Sequence, residues 1–316
     1  MTDSIAYGGL SLYEPIRALS FNLHEFSADA IHADQQLGDV LNLTSALKNN
    51  MLILNVVEDQ NGDGIYDRAY FPTQHLTLGQ DVTNRMTWQS KTRIFNRVYA
   101  NLPLKLQQQK ADLVVNLTDD LLKNNSSLDG IFLQTDQQLQ CVFTTQNDTD
   151  CQQQQQNVVN TLMQMKQKSN QYTNLSNQFR VALQVKLNTL QQGGIQHFLT
   201  QFNPYASLFS FDLDPLQQPE VFQQFIKQID HVLPQQKAQI MVNLHTQSAK
   251  NDEDWKKLQH YFLTLQRVGI QKLAIDRYAF DNAEDVQAFL YTPFSLNQSP
   301  LTYRNPFISK TQGKSP

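Results

Sequence analysis

No apolar run in this 316-residue chain reaches the roughly 18 residues that a membrane-spanning helix needs. Charge of one sign is also scarce. With 25 Lys and Arg against 29 Asp and Glu the formal net charge is −4, and no basic stripe gathers on any segment. That removes the usual sequence reasons to expect a nucleic-acid partner. Familiar catalytic motifs are missing too. There is no Gly-rich phosphate loop after a strand, no G-x-S-x-G and no H-E-x-x-H. No H-x-x-x-H pair stands ready to hold the metal of a polysaccharide deacetylase. The first residues, MTDSIAYGGL, contain neither a basic stretch nor an apolar one, so they are not read as a signal peptide; export would require a signal already removed.

Cysteine is nearly absent. The two present, Cys141 and Cys151, lie in the polar stretch CVFTTQNDTDC. Two thiols cannot complete a four-ligand zinc site, and no His stands beside them at ligand spacing. They are either two free thiols or a local disulfide closing the loop. The second reading is favoured, and it implies an oxidising compartment.

The chain does have enough apolar material for a substantial core. Hydrophobic residues make up 40% of it, with 18 Phe and 11 Tyr. Gln and Asn are abundant, so its polar surface carries little charge. Eight apolar runs recur: 17–23, 51–57, 97–104, 129–134, 181–187, 207–213, 238–244 and 271–275. Their length and their Val, Ile, Leu and Phe content fit strands buried on both faces.

Helical periodicity fills the gaps. Leu37, Val40, Leu41, Thr44 and Leu47 share one helix face, as do Phe222, Phe225, Ile226 and Ile229. The segment DEDWKKLQHYFLTLQRVG opens with acids and ends at Gly269, a C-cap residue. Strands alternating with helices predict an α/β chain, a (β/α)8 TIM-like barrel, complete or irregular, in a single domain over 1–307. A doubly wound open sheet is the rival. The Gln-rich stretch within 140–180 is expected to be a polar helix or insertion, and 308–316 a disordered tail.

In such a barrel the chemistry sits where strands end. The strand ends supply Asn22 and His24, Asn55 with Glu58 and Asp59, Asn101, and Gln134 with Asp136. Further along are Asn188, Asp212 and Asp214, Asn243 and His245, and Asp276 with Tyr278. Amides and carboxylates hydrogen-bond sugar hydroxyls. Paired carboxylates perform glycoside hydrolysis, at about 5–5.5 Å apart for retention and about 6.5–9.5 Å for inversion. Each position also has a plainer reading. A strand-end Asp more often caps a helix or starts a turn, and His24 and His245 are read first as hydrogen-bonded loop residues.

The stretch VEDQNGDGIYDRAYFP permits two interpretations. Asp59, Asn61, Asp63 and Asp67 match the start of a calcium loop, but Tyr70 stands where the bidentate acid should be, and a strand-like run precedes the loop. The other reading is a loop after a barrel strand, with no cofactor.

The second reading agrees with a resemblance. Asp59-Gln60-Asn61-Gly62-Asp63-Gly64 is followed by Tyr70-Phe71-Pro72, by Trp88-Gln89 with Thr92-Arg93, and by Tyr99-Ala100 with Pro103. In this order the motifs resemble the C-terminal domain of PgaB-type proteins, the poly-β-1,6-N-acetyl-D-glucosamine N-deacetylases of bacterial biofilm systems. Weaker similarity extends over most of the chain, including LDGIFLQTD. The resemblance implies a (β/α) barrel with an electronegative groove that binds partly deacetylated polymer and in some members cleaves it. It also implies a periplasmic or cell-envelope location, outer-membrane export machinery as a partner, and a monomer. The family's N-terminal deacetylase domain has no counterpart here.

The departures cluster at strand ends. Asn22-Leu23-His24 replaces an Asp-x-Asp pair, Asn101 replaces a groove Trp, Gln134-Thr135-Asp136 replaces His-Asp-Asp, and Asp276-Arg277-Tyr278 replaces Tyr-Pro-Asp. Of the acidic cluster, Asp136 alone is retained. Asp to Asn keeps a hydrogen-bonding shape and discards the proton acceptor, while loss of a Trp removes a stacking surface for a sugar face. Two expectations follow. One is a binding module with reduced or lost catalysis. The other is a glycoside hydrolase with Asp136 as general acid and Glu58, Asp59 or Asp212 as its partner.

Overall fold

The computed structural model describes residues 15–22, 30–47, 49–55, 57–58, 68–69, 97–104, 111–124, 128–135, 138–144, 148–172, 179–278 and 283–290. Eight parallel strands close into a barrel. In chain order they are β1 (Ile16–Asn22), β2 (Met51–Asn55), β5 (Arg97–Pro103), β6 (Gly130–Thr135), β7 (Arg180–Lys186), β8 (Phe209–Leu213), β9 (Ile240–Leu244) and β10 (Lys272–Tyr278). Each pairs with its sequence neighbour in that series, and β1 pairs with β10 to close the ring. The expected (β/α)8 barrel is therefore the fold, and all eight expected strands are in it. β3 (Val57–Glu58) and β4 (Arg68–Ala69) form a separate antiparallel pair outside the barrel.

The helices are α1 (Ala30–Ala46), α2 (Ala111–Asn124), α3 (Thr149–Ser169), α4 (Gly194–Phe202), α5 (Pro219–Asp230), the one-turn α6 (Pro234–Lys237), α7 (Asp252–Arg267) and α8 (Ala283–Leu290). Their sequences explain their ends. On α7 the Asn251 side chain accepts the N–H of Asp254 at 3.0 Å, and Asp252, Glu253 and Asp254 occupy the positive end of the helix dipole. The helix stops at Gly269, whose φ of 92° is open to glycine at little cost. α5 begins with Pro219, which needs no N–H partner in a first turn. Of the two forms expected for the Gln-rich stretch, Thr149–Ser169 is a helix, and it buries Val158, Leu162 and Met165. Cys141 and Cys151 are disulfide-bonded, tying a short 3-10 turn to the first turn of α3.

Two apolar cores result from the period of two along a strand. Outward-facing residues such as Leu19, Leu52, Leu133, Phe211, Val242 and Ile275 pack against the helices. The helical stripe of Leu37, Val40, Leu41, Thr44 and Leu47 is buried in that layer, as are Phe222, Phe225 and Ile229. Inward-facing residues form the second core, which includes Ile53, Tyr99, Phe132, Ala182, Met241 and Ala274. Tyr99 and Phe132 lie with ring centroids 5.3 Å apart. Gly130 leaves Tyr99 its space, since a Cβ there would fall 2.2 Å from the ring.

Candidate functional site

The same alternation places polar side chains above the interior apolar core. Moving toward the C-terminal ends of the strands, the inward series runs Ala18, Ser20, Asn22 on β1 and Met51, Ile53, Asn55 on β2. It continues with Tyr99 to Asn101, Phe132 to Gln134, Ala182 to Gln184, Ser210 to Asp212, Met241 to Asn243 and Ala274 to Asp276. Every barrel strand thus contributes an amide or a carboxylate at one level, the mouth where barrel enzymes carry their sites. Asn22, Asn101, Gln184, Asp212, Asn243 and Asp276 are buried.

These groups form two networks. On one side the amides are linked in series. Asn55 Nδ2 donates to Asn22 Oδ1 at 2.8 Å and to Ser20 Oγ at 3.1 Å. Asn101 Nδ2 donates to Asn55 Oδ1 and to Gln134 Oε1, each at 2.8 Å. On the other side a carboxylate is the centre. Asp212 Oδ2 accepts from Gln184 Nε2 at 2.8 Å, and its Oδ1 accepts from Asn243 Nδ2 at 3.0 Å.

Beside Asp212 stands a His–Asp pair. His245 Nδ1 donates to Asp276 Oδ2 at 2.9 Å, and the N–H of Thr246 donates to Asp276 Oδ1 at 2.9 Å. Burial on its own would lower the proton affinity of the imidazole. The hydrogen bond to Asp276, the charge of that carboxylate and the field of Asp212 outweigh burial and the opposing charge of Lys186, so the His245 pKa is pushed up to about 9. The ring is therefore an imidazolium at neutral pH. Its Nε2 is buried with no hydrogen-bond partner among the described residues, and Oδ1 of Asn101 and Oδ1 of Asn243 share that condition.

Of the residues expected at the site, the structure brings together Asn22, Asn55, Asn101, Gln134, Asp212 and Asp276. Asp214 lies past the end of β8, where it starts a turn. Its Oδ1 accepts the N–H of Gln217 at 3.1 Å and its Oδ2 accepts from Ser248 Oγ. Tyr278 is the last residue of β10, in register with Phe21. Glu58 lies on β3. His24, Asp59, Asn61, Asp63, Asp67 and Asp136 lie outside the described residues. The described residues on either side of the stretch 59–67, Val57–Glu58 and Arg68–Ala69, pair as antiparallel strands. Among the described residues no group of three or more His, Cys, Asp or Glu is placed to hold a metal. No described helix is long and apolar enough to cross a membrane.

Gln184 and Thr246 join the site without having been expected there, and His245 takes a larger part than a loop residue. Gln184 carries a usable signal, a lone amide inside the apolar run VALQV and opposite Gln134 in register. Asn188, the residue expected from that strand, lies past the end of β7.

Comparison with known proteins agrees with this architecture. Residues 26–125 match the family model described as hypothetical glycosyl hydrolase family 13. No curated protein sequence matches the chain. Among solved structures, the PgaB (BpsB) glycoside hydrolase domain from Bordetella bronchiseptica superposes with a TM-score of 0.64 at 17% identity, covering 87% of this chain and 99% of that one. A putative alpha-L-fucosidase from Bacteroides thetaiotaomicron VPI-5482 gives 0.54 at 10% identity, over 92% and 96% of the two chains. The Ignisphaera aggregans GH53 catalytic domain gives 0.51 at 10% identity, over 84% and 85%. The chain is a (β/α)8 barrel, similar in fold to the PgaB glycoside hydrolase domain, and its residues 26–125 match a glycosyl hydrolase family model.

Proposed function

We propose that this barrel binds partly deacetylated poly-β-1,6-N-acetyl-D-glucosamine during biofilm exopolysaccharide processing or export, with reduced or lost catalysis. One observation carries the reading. At the mouth, Asn22, Asn55, Asn101 and Gln134 are joined amide to amide, and the PgaB resemblance places an Asp, a Trp and a His where Asn22, Asn101 and Gln134 stand. An amide can orient a sugar hydroxyl, but it neither takes a proton nor attacks an anomeric carbon. The two carboxylates described at the mouth, Asp212 and Asp276, each accept hydrogen bonds on both oxygens from protein donors.

The disulfide between Cys141 and Cys151 supports an oxidising location, the periplasm or cell envelope. The working form in this reading is a monomer that meets the polymer and the outer-membrane export machinery.

Hydrolysis is the second reading. It rests on the fold shared with glycoside hydrolases and on Asp136, which directly follows Thr135, the last residue of β6. Asp136 would be the general acid, with Glu58, Asp59 or Asp212 as partner.

One experiment separates the two. The purified chain and its Asp136→Asn variant are incubated with partly deacetylated polymer, and product lengths are followed by mass spectrometry. The binding reading expects intact polymer and slowed migration of the polymer through a protein-containing gel. Shorter oligomers that vanish with Asp136→Asn would replace it with the hydrolase reading.

A further inference from the structure

The two carboxylates described at the mouth are already engaged. Asp212 accepts from two amide side chains, one on each oxygen. Asp276 accepts from a backbone N–H on one oxygen and from the His245 ring on the other. An ammonium group on a sugar needs an anion with a free face, since charge-assisted hydrogen bonds are the strong ones. Here it would have to displace protein donors, and it would meet two cations. His245 keeps its proton at neutral pH because of Asp276 and Asp212, and Lys186 is close enough to act on the same ring. Among the described residues, the titratable groups acting on the imidazole are thus two acids and one further cation.

Among the described residues, the mouth offers instead polar atoms without partners. Asn101 Oδ1 and Asn243 Oδ1 are buried acceptors without a hydrogen-bond partner among the described residues, and His245 Nε2 is a donor in the same state. Leaving such groups unpaired costs about 1–3 kcal/mol each, so a ligand that pairs with them recovers that cost. An acetamido group carries one N–H donor and one carbonyl acceptor and no charge. It complements an Asn carbonyl oxygen together with an imidazolium N–H. The His245 side chain retains 22% exposure beside the polar ring of strand-end residues.

We propose that the barrel mouth selects N-acetylated, uncharged sugar units over deacetylated, cationic ones, and that His245, held by Asp276, is the specificity-determining residue. The inference rests on the saccharide-binding reading above. Within a partly deacetylated chain it assigns the acetylated units to the mouth. Specificity of this kind is a difference of two affinities, built here partly from repulsion of the wrong charge.

The test uses two soluble β-1,6-linked oligomers of equal length, one fully N-acetylated and one fully deacetylated. Isothermal titration calorimetry at pH 6.5 measures both against the wild type and His245→Gln. The wild type is expected to prefer the acetylated oligomer by about tenfold, the equivalent of one modest charge interaction, and His245→Gln is expected to shrink that ratio toward one. A wild type that binds the deacetylated oligomer as tightly or more tightly overturns this inference and leaves the saccharide reading standing. Binding of neither oligomer overturns both. A second measurement needs no substitution. The imidazole 15N resonances of His245 in the wild type should report a doubly protonated ring at pH 7, and a neutral ring there overturns the proposal.

Discussion

Within the barrel interior, two levels only a few residues apart are built on opposite principles from the same eight strands. The lower level is an apolar cluster of Ile53, Tyr99, Phe132, Met241 and their neighbours. The upper level is a ring of amides and carboxylates two positions further along each strand. The lower is stabilised by area removed from water and by close packing, which are forgiving of direction. The upper is held by hydrogen bonds in which every member depends on its neighbours, and a half-satisfied network is costly. The lower level therefore supplies stability that the upper level can put at risk by leaving donors and acceptors open for a ligand.

That contrast can be broken most strongly from below. Phe132→Ala should lose about 3–5 kcal/mol by opening a cavity beneath the mouth. Chemical denaturation would show a lower midpoint with little change in oligomer affinity for the molecules that remain folded.

Raising the pH acts on the upper level through His245. The folded-state pKa of His245 is pushed up to about 9, above the ordinary value of 6.5. Its contribution is therefore fully present below pH 6.5 and is lost as pH rises through about 9. The loss should be at most about 3 kcal/mol. Denaturation curves between pH 6 and pH 10 should show that slope, and Asp276→Asn should flatten it.

A smaller effect is expected from Asn101→Ala. It removes the donor shared by Asn55 and Gln134 and should cost about 1–3 kcal/mol. Saccharide affinity should fall with it, in contrast to Phe132→Ala. At the border between the levels, Ser210 Oγ is buried and has no hydrogen-bond partner among the described residues. Ser210→Ala should change stability by less than about 0.5 kcal/mol, and a large loss would reveal a partner for that hydroxyl.

Much of the barrel is legible in the chain. Runs rich in Val, Ile, Leu and Phe mark all eight barrel strands, because a strand covered on both faces has to be apolar on both. Helix faces such as Leu37, Val40, Leu41, Thr44 and Leu47 are equally plain, since one stripe must meet the sheet. The polar residues at the strand ends also stand out, and Asn22, Asn55, Asn101, Gln134, Asp212 and Asp276 do meet at one level. Gln184 was harder to see. Within VALQV both faces are apolar, so period two does not mark which residues point inward until neighbouring strands set the register. Asp212 and Asp214 look alike in the sequence, yet one accepts from Gln184 and Asn243 at the mouth while the other starts a turn.

By itself the sequence determined the fold class, the order of the elements and the chemical palette of the mouth, because burial and periodicity are properties of local segments. Only the tertiary structure decided who pairs with whom. His245 and Asp276 are 31 residues apart in number yet 2.9 Å apart in space. Barrel closure makes them partners, and closure is a property of the whole ring of strands. The charge on His245 and the engaged oxygens of Asp212 follow from that meeting, and with them the reading of what the mouth can hold.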